Sequence, residues 1–334
     1  MRTPKPRNLT TGETTGETSD PAMRRPIGQS TASQSISGQS TASSIVRLLR
    51  WDKPEGRLIL MQPALWALFL AAKGNPPGLL VLVVILGSLA TSAAGCVVND
   101  LWDRNIDPKV ERTKNRPLAS RALSVKVGVA VMLVGFLCAY GLTRFLNPLT
   151  FWLCVAAVPV IVIYPGMKRV FPVPQLVLAI AWGFAVLISW SAVSCGSVAA
   201  ATDCLGQENW ILWAATVLWT LGFDTVYAMS DRLDDRRLGV RSSALFFGKY
   251  APQAVGLFYL FTALLLAKLG QVMNLGWAYW ACWGIATVIW AWQTMKLTEP
   301  RIPHRFYAEG FRQNVAIGFI LLAGMIAGVW QVGG

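Results

Sequence analysis

Asn99-Asp100-Leu101-Trp102-Asp103-Arg104-Asn105-Ile106-Asp107 sits where a bilayer-long apolar run, Gly78 to Val98, meets charge. Carboxylates at the end of such a run are costly unless cations neutralise them. Asn99, Asp103 and Asp107 recur every four residues, so on a helix they share one face. A second acidic stripe has the same plan. Asp224, Tyr227, Asp231 and Asp235, spaced by three and four, end the apolar run from Trp210 to Phe223. Two stripes at equivalent ends of two spanning helices predict a shared Mg²⁺ and diphosphate site. The plainer alternative is a pair of solvated polar helix ends.

Composition sets the class. Of 334 residues, 54% are hydrophobic and 14% charged, and 15 are Trp; soluble domains carry about 25% charged residues. This is a polytopic, all-α membrane protein. The net charge of +13 finds no soluble domain on which to build a nucleic-acid surface, so it is assigned to loop orientation. A single His excludes His-based metal sites and Ser-His-Asp chemistry. Cys96, Cys138, Cys154 and Cys282 lie in apolar runs and read as small core residues. Cys195 and Cys204 flank a loop without Lys or Arg. A bridge there suits a non-cytoplasmic compartment; two free thiols, with Cys195 inside the fifth span, are the other reading.

Residues 1–43 are rich in Ser, Thr, Gly, Pro and Gln and are predicted to be a disordered extension. They lack the apolar core of a secretory signal, and Glu13, Glu17 and Asp20 weigh against a transit peptide. Residues 44–334 form the transmembrane domain. Ile45, Leu48 and Leu49, with Arg47 and Arg50 among them, predict a short interfacial helix. Nine spans come after it: Leu58–Ala72, Gly78–Val98, Val125–Leu142, Leu149–Tyr164, Pro174–Cys195, Trp210–Tyr227, Gln253–Leu269, Gly276–Met295 and Asn314–Val332. The loops after the second, fourth, sixth and eighth are basic, whereas the alternate loops hold little beyond Lys73, Arg144 and Lys268. That alternation predicts an N-terminus inside and a C-terminus outside, with both stripes on the cytoplasmic side. The pattern of apolar run, acidic stripe and basic loop occurs twice, which predicts two four-helix units plus one added helix.

An isoprenoid diphosphate, with its charged head and apolar tail, fits such a plan. Mg²⁺ takes carboxylates, water and phosphate oxygens. Asn99, Asp103 and Asp107 are candidate ligands of one ion; Asp231 and Asp235, with Asp224 in or behind the shell, are candidates for a second. Arg112, Arg116, Lys168 and Arg169 are candidate diphosphate contacts, and each taken alone also reads as a positive-inside anchor. Trp66, Trp102, Trp182, Trp190 and Tyr227 offer aromatic faces to a carbocation-like carbon, although most Trp in such chains pack or anchor. A cation transporter is the competing class, but no carboxylate lies deep in the apolar runs.

At these residues the sequence resembles the UbiA superfamily of intramembrane aromatic prenyltransferases, across roughly residues 47–330. Arg50-Trp51-Asp52-Lys53-Pro54-Glu55-Gly56 is similar to the family's opening motif. Asn99 to Asp107 resembles its first signature, and Arg112-Thr113-Lys114-Asn115-Arg116-Pro117-Leu118 resembles the basic segment next to it. Tyr164-Pro165-Gly166-Met167-Lys168-Arg169 and Asp224 to Asp235 resemble later ones. The second signature is similar to the 4-hydroxybenzoate polyprenyltransferase branch. The resemblance implies Mg²⁺-dependent transfer from a polyprenyl diphosphate to 4-hydroxybenzoate, ortho to its hydroxyl, on the way to ubiquinone or plastoquinone. It implies membrane lipid as the surroundings, in a cell (inner) or thylakoid membrane, with homogentisate as the alternative acceptor. Asp231 is the candidate base for the acceptor's proton. Family members carry an Arg seven residues before the signature Asn, placed for the acceptor's carboxylate; here that position is Ser92, and Arg57 is the candidate substitute.

Overall fold

A computed structural model describes residues 40–196 and 201–333, and among these there is no strand. The expected disorder of residues 1–43 falls almost wholly outside them. In chain order the helices are α1 Thr41–Leu48, α2 Glu55–Ala71, α3 Gly78–Asp103, α4 Val125–Leu142, α5 Pro148–Val170, α6 Pro174–Ser194 and α7 Ala201–Cys204. They continue with α8 Gln207–Met229, α9 Arg232–Leu238, α10 Ser243–Phe247, α11 Ala251–Val272, α12 Trp277–Leu297 and α13 Arg305–Gly333. Ser124 caps α4 by accepting the Val127 N–H, and Asn147 caps α5 by accepting the Thr150 N–H just before Pro148. Gly239 closes α9 at φ 67°, the left-handed geometry that a residue without Cβ adopts at least cost.

Long helices occupy all nine expected positions. Among the described residues seven are long and apolar enough to cross a membrane. The other two are α2, with 17 residues, and α12, whose length is carried by Trp, Thr and Gln as much as by aliphatic side chains. These two are nonetheless helices packed within the bundle. α2 lies against α3, α6 and α13, and α12 lies between α11 and α13. The two expected four-helix sets are thus joined through α2 and α6. The ninth long helix is not an appendage: α13 packs on α12, α2 and α8 and closes the bundle.

The main core is aromatic. Trp66, Trp219, Phe223, Tyr259, Tyr279 and Trp290 are buried together with aliphatic neighbours. Their polar atoms are satisfied internally, as lipid requires. Asn314 of α13 is the hub: its Oδ1 accepts the indole N–H groups of Trp219 (2.8 Å) and Trp290 (3.0 Å). Its Nδ2 donates to the Tyr259 hydroxyl, Gln293 Oε1 and the Gly310 carbonyl. At Gly222 a Cβ would lie 2.7 Å from the Tyr259 ring, so the close approach of α8 to α11 needs glycine there.

Two local features bear on the site. α1 forms as expected, and its Leu48 is fully buried against Val97, Leu118 and Leu123. The acidic stripes also do not run on unbroken helices. α3 ends at Asp103, and Asp107 opens a short 3-10 turn, Asp107–Lys109. α8 ends at Met229, leaving Asp231 to start α9. In each case the chain bends where its carboxylates reach opposing cations.

Candidate active site

Both stripes converge at one end of the bundle, around a cavity of about 220 Å³. Asn99, Asp103, Asp107, Asp224, Asp231 and Asp235 all line it, and so do Arg112, Arg116, Lys168, Arg169 and Tyr227. Every site residue expected from the stripes and basic motifs is therefore in its wall; Arg57 lies elsewhere.

The charges are interlocked. Lys168 Nζ donates to Asn99 Oδ1 (3.0 Å) and Asp103 Oδ2 (2.8 Å), tying α5 to α3. Arg116 Nη1 bridges Asp100 Oδ1 (3.1 Å) and Asp107 Oδ2 (2.9 Å). Arg112 grips the second stripe: Nε and Nη2 donate to Asp231 (Nη2 to Oδ2 at 2.5 Å), while Nη1 donates to the Tyr227 hydroxyl at 3.2 Å. Burial alone would lower the Arg112 guanidinium, but Tyr227 and Asp231 more than offset it and hold it charged. Burial pushes the Asp235 carboxyl up to about 6, against a hydrogen bond with Ser242 that lowers it. Asp224 has no hydrogen bond or salt bridge among the described residues. Arg169 is turned to the rim, where it donates to the Trp102 carbonyl (2.7 Å) and covers the Trp102 ring.

One participant is not among the expected site residues. Asp100 is 1% exposed, and its Oδ1 accepts from both Arg50 (2.7 Å) and Arg116. It anchors the cation that reaches Asp107. Its only sequence signal is its place inside the first stripe, off the shared face.

The donor set fits Mg²⁺. It consists of carboxylate and amide oxygens with no imidazole or thiolate, the preference of a hard cation. As the side chains stand, no three His, Cys, Asp or Glu among the described residues are grouped closely enough to hold an ion. Lys168, Arg116 and Arg112 occupy Asp103, Asp107 and Asp231, so a metal held by these three would take the place of those cations.

A second cavity, about 1460 Å³, shares Asn99, Arg112, Arg116, Tyr164, Asp224 and Tyr227 with the first. It runs along α3 from Asn99 back to Val83, roughly 24 Å at 1.5 Å per residue. Its far part is apolar, with Phe136, Phe151, Val155 and Ile188 among the walls. Of the aromatic candidates, Trp182 and Tyr227 line it. Trp66 is core, its ring tilted against Trp219, and Trp190 is buried in the same cluster. Trp102 lies at the surface beneath Arg169.

A pocket of carboxylates and cations that opens on a long apolar cavity, inside a multi-pass membrane bundle, defines an enzyme acting on a charged head with an apolar tail. The chain belongs to the UbiA prenyltransferase family, whose pattern matches residues 60–328. It is 63% identical over 285 residues to a 4-hydroxybenzoate solanesyltransferase of Synechocystis sp., covering 85% of this chain and 95% of that one. The apo UbiA homologue from Aeropyrum pernix K1 has the same fold, with a TM-score of 0.71, 24% identity, and 80% and 96% of the two chains covered. An Archaeoglobus fulgidus UbiA homologue bound to DMAPP and Mg²⁺ aligns with a TM-score of 0.61 at 17% identity, over 84% and 99% of the chains.

Proposed function

We propose that this prenyltransferase joins a polyprenyl chain to 4-hydroxybenzoate in quinone biosynthesis, plastoquinone or ubiquinone, using Mg²⁺. The observation that carries the reading is the shared wall between the two cavities. A diphosphate seated among the stripes places its first allylic carbon at Asp224 and Tyr227, with the tail running down the apolar cavity. The name of the Synechocystis relative, at 63% identity, supports the acceptor.

Asn99, Asp103 and Asp107 would hold one ion and Asp231 and Asp235 a second, with Asp224 in or behind that shell. Mg²⁺ supplies charge that stabilises the departing diphosphate. Lys168, Arg116 and Arg112, released from the carboxylates, turn to phosphate oxygens, and Arg169 guards the rim. The C–O bond of the allylic diphosphate breaks, its electron pair leaves with the diphosphate, and the ring carbon ortho to the hydroxyl forms the new C–C bond. That carbon then loses its proton. Tyr227 and Trp182 present aromatic faces to the electron-poor carbon. Asp231 is the candidate base for the acceptor's proton; Arg112 now covers both its oxygens, so this role begins only once Arg112 has moved to the diphosphate. The basic loops support a cytoplasmic placing of this end, in a cell (inner) or thylakoid membrane.

Membranes containing the protein, supplied with labelled 4-hydroxybenzoate, a panel of polyprenyl diphosphates and Mg²⁺, should yield a prenylated acid, and EDTA should abolish it. Homogentisate prenylated in preference would overturn the acceptor, and turnover undiminished by EDTA would overturn the metal.

A further inference from the structure

Arg57 stands apart from the cations of the small pocket. It is 4% exposed, and its Nε, Nη1 and Nη2 all lack a hydrogen-bond partner among the described residues. No other side chain lining the large cavity has a buried polar atom in that state, again among the described residues. Its guanidinium lies 4.4 Å from the centre of the Trp51 ring, which covers one face. Asp52 acts on it only at a distance, with no hydrogen bond or salt bridge among the described residues, and Arg57 lines the large cavity. A guanidinium taken out of water without a counter-ion is costly. Such a charge is maintained where a ligand brings the missing anion.

The cavity indicates which anion. Arg57, Leu60 and Ala64 line it from one face of α2. Ser92, Cys96 and Asn99 line it from one face of α3. Arg57 therefore shares the large cavity with Asn99 but is absent from the small pocket where the carboxylates and the other cations gather. A diphosphate seated in that pocket is already surrounded by Lys168, Arg112 and Arg116. The unmatched charge is left for the second substrate. A flat aromatic acid between α2 and α3 can set its carboxylate on the guanidinium edge in bidentate fashion, with its ring directed to the junction of the two cavities.

We infer that Arg57, backed by Trp51, binds the carboxylate of the aromatic acceptor and selects acids over neutral phenols. This rests on the proposed prenyl transfer. Selection arises because a neutral phenol would bury the guanidinium still unpaired, whereas an acid satisfies it.

The test uses the full chain in lipid nanodiscs, as wild type, Arg57→Met and Arg57→Lys, with 4-hydroxybenzoate and its neutral analogue 4-hydroxybenzamide. Arg57→Met should raise the KM for 4-hydroxybenzoate by roughly 30-fold or more, the loss of one charge-assisted bidentate pair. The KM for polyprenyl diphosphate should stay within about twofold, because that pocket is intact. The preference for acid over amide should collapse in Arg57→Met and survive in part in Arg57→Lys. Without ligand, Arg57→Met should melt no lower than wild type, since it removes an uncompensated charge. An unchanged acceptor KM, or a diphosphate KM that rises equally, would overturn the assignment. If the wild type prenylates neither acceptor, the proposed function fails. Arg57 is then judged by thermal shift alone: stabilisation by 4-hydroxybenzoate, but not by the amide, that disappears in Arg57→Met supports it, and a shift unaffected by Arg57→Met refutes it.

Discussion

Asp103 and Asp231 stand on opposite stripes, each held by one cation, Lys168 or Arg112. Replacing either with Asn removes a charge from a proposed metal site while keeping the shape. Asp103→Asn and Asp231→Asn should each lower kcat/KM by about 10³-fold or more, with melting temperatures within a few degrees of wild type. Near-normal Mg²⁺-dependent turnover in either variant would remove that residue from the site. Lys168 offers a subtler case. It now donates to Asn99 and neutralises Asp103, and in the proposed complex it serves phosphate instead. Lys168→Met should therefore raise the KM for polyprenyl diphosphate by about 10-fold, the scale of a single charge-assisted bond, and leave the acceptor's KM nearly unchanged. Steady-state titration of each substrate reads the difference. The spacing of four makes Asn99, Asp103 and Asp107 legible in the sequence. Asp100 is not, because its meaning comes from Arg50, a partner 50 residues away that no local pattern connects to it.

Among the elements, α13 shows what periodicity leaves out. Its apolar run announces a span, but nothing in the run distinguishes a peripheral helix from one that closes the bundle. The difference lies in Asn314, which ties α13 to α8, α11 and α12 through Trp219, Tyr259, Gln293 and Trp290. Asn314→Leu should lower stability by roughly 2–4 kcal/mol, several interhelical bonds at about 0.6–1 kcal/mol each. Thermal melting in nanodiscs checks this, and a loss below about 0.5 kcal/mol would show the hub to be redundant. α1 makes a related point. Its amphipathic pattern predicts burial of one face without saying what buries it; Leu48 packs on Val97, Leu118 and Leu123. The stripes likewise outrun the ends of α3 and α8, since a four-residue spacing cannot show where a chain bends towards a cation.

At the scale of the whole molecule, the basic loops and both stripes occupy one end of the bundle, and the loop between α6 and α8 occupies the other. With α8 running 23 residues between them, the two ends stand roughly 35 Å apart at 1.5 Å per residue. Single cysteines at Gly196 and Arg301, in a background free of native ones, should react with an impermeant thiol reagent from opposite sides of sealed vesicles. Reaction of both from one side would refute the N-in, C-out arrangement. Cys195 and Cys204 are joined in a disulfide with their Cα atoms 5.3 Å apart. Of the two readings the sequence leaves open, the bridged one is realised. Thiol pairs stay reduced on the cytosolic face and oxidise beyond it. With the basic end in the cytosol, as proposed, the pair is a built-in compass: a copy threaded into the membrane upside down would carry two free thiols, which alkylation without reductant followed by intact-mass analysis would count.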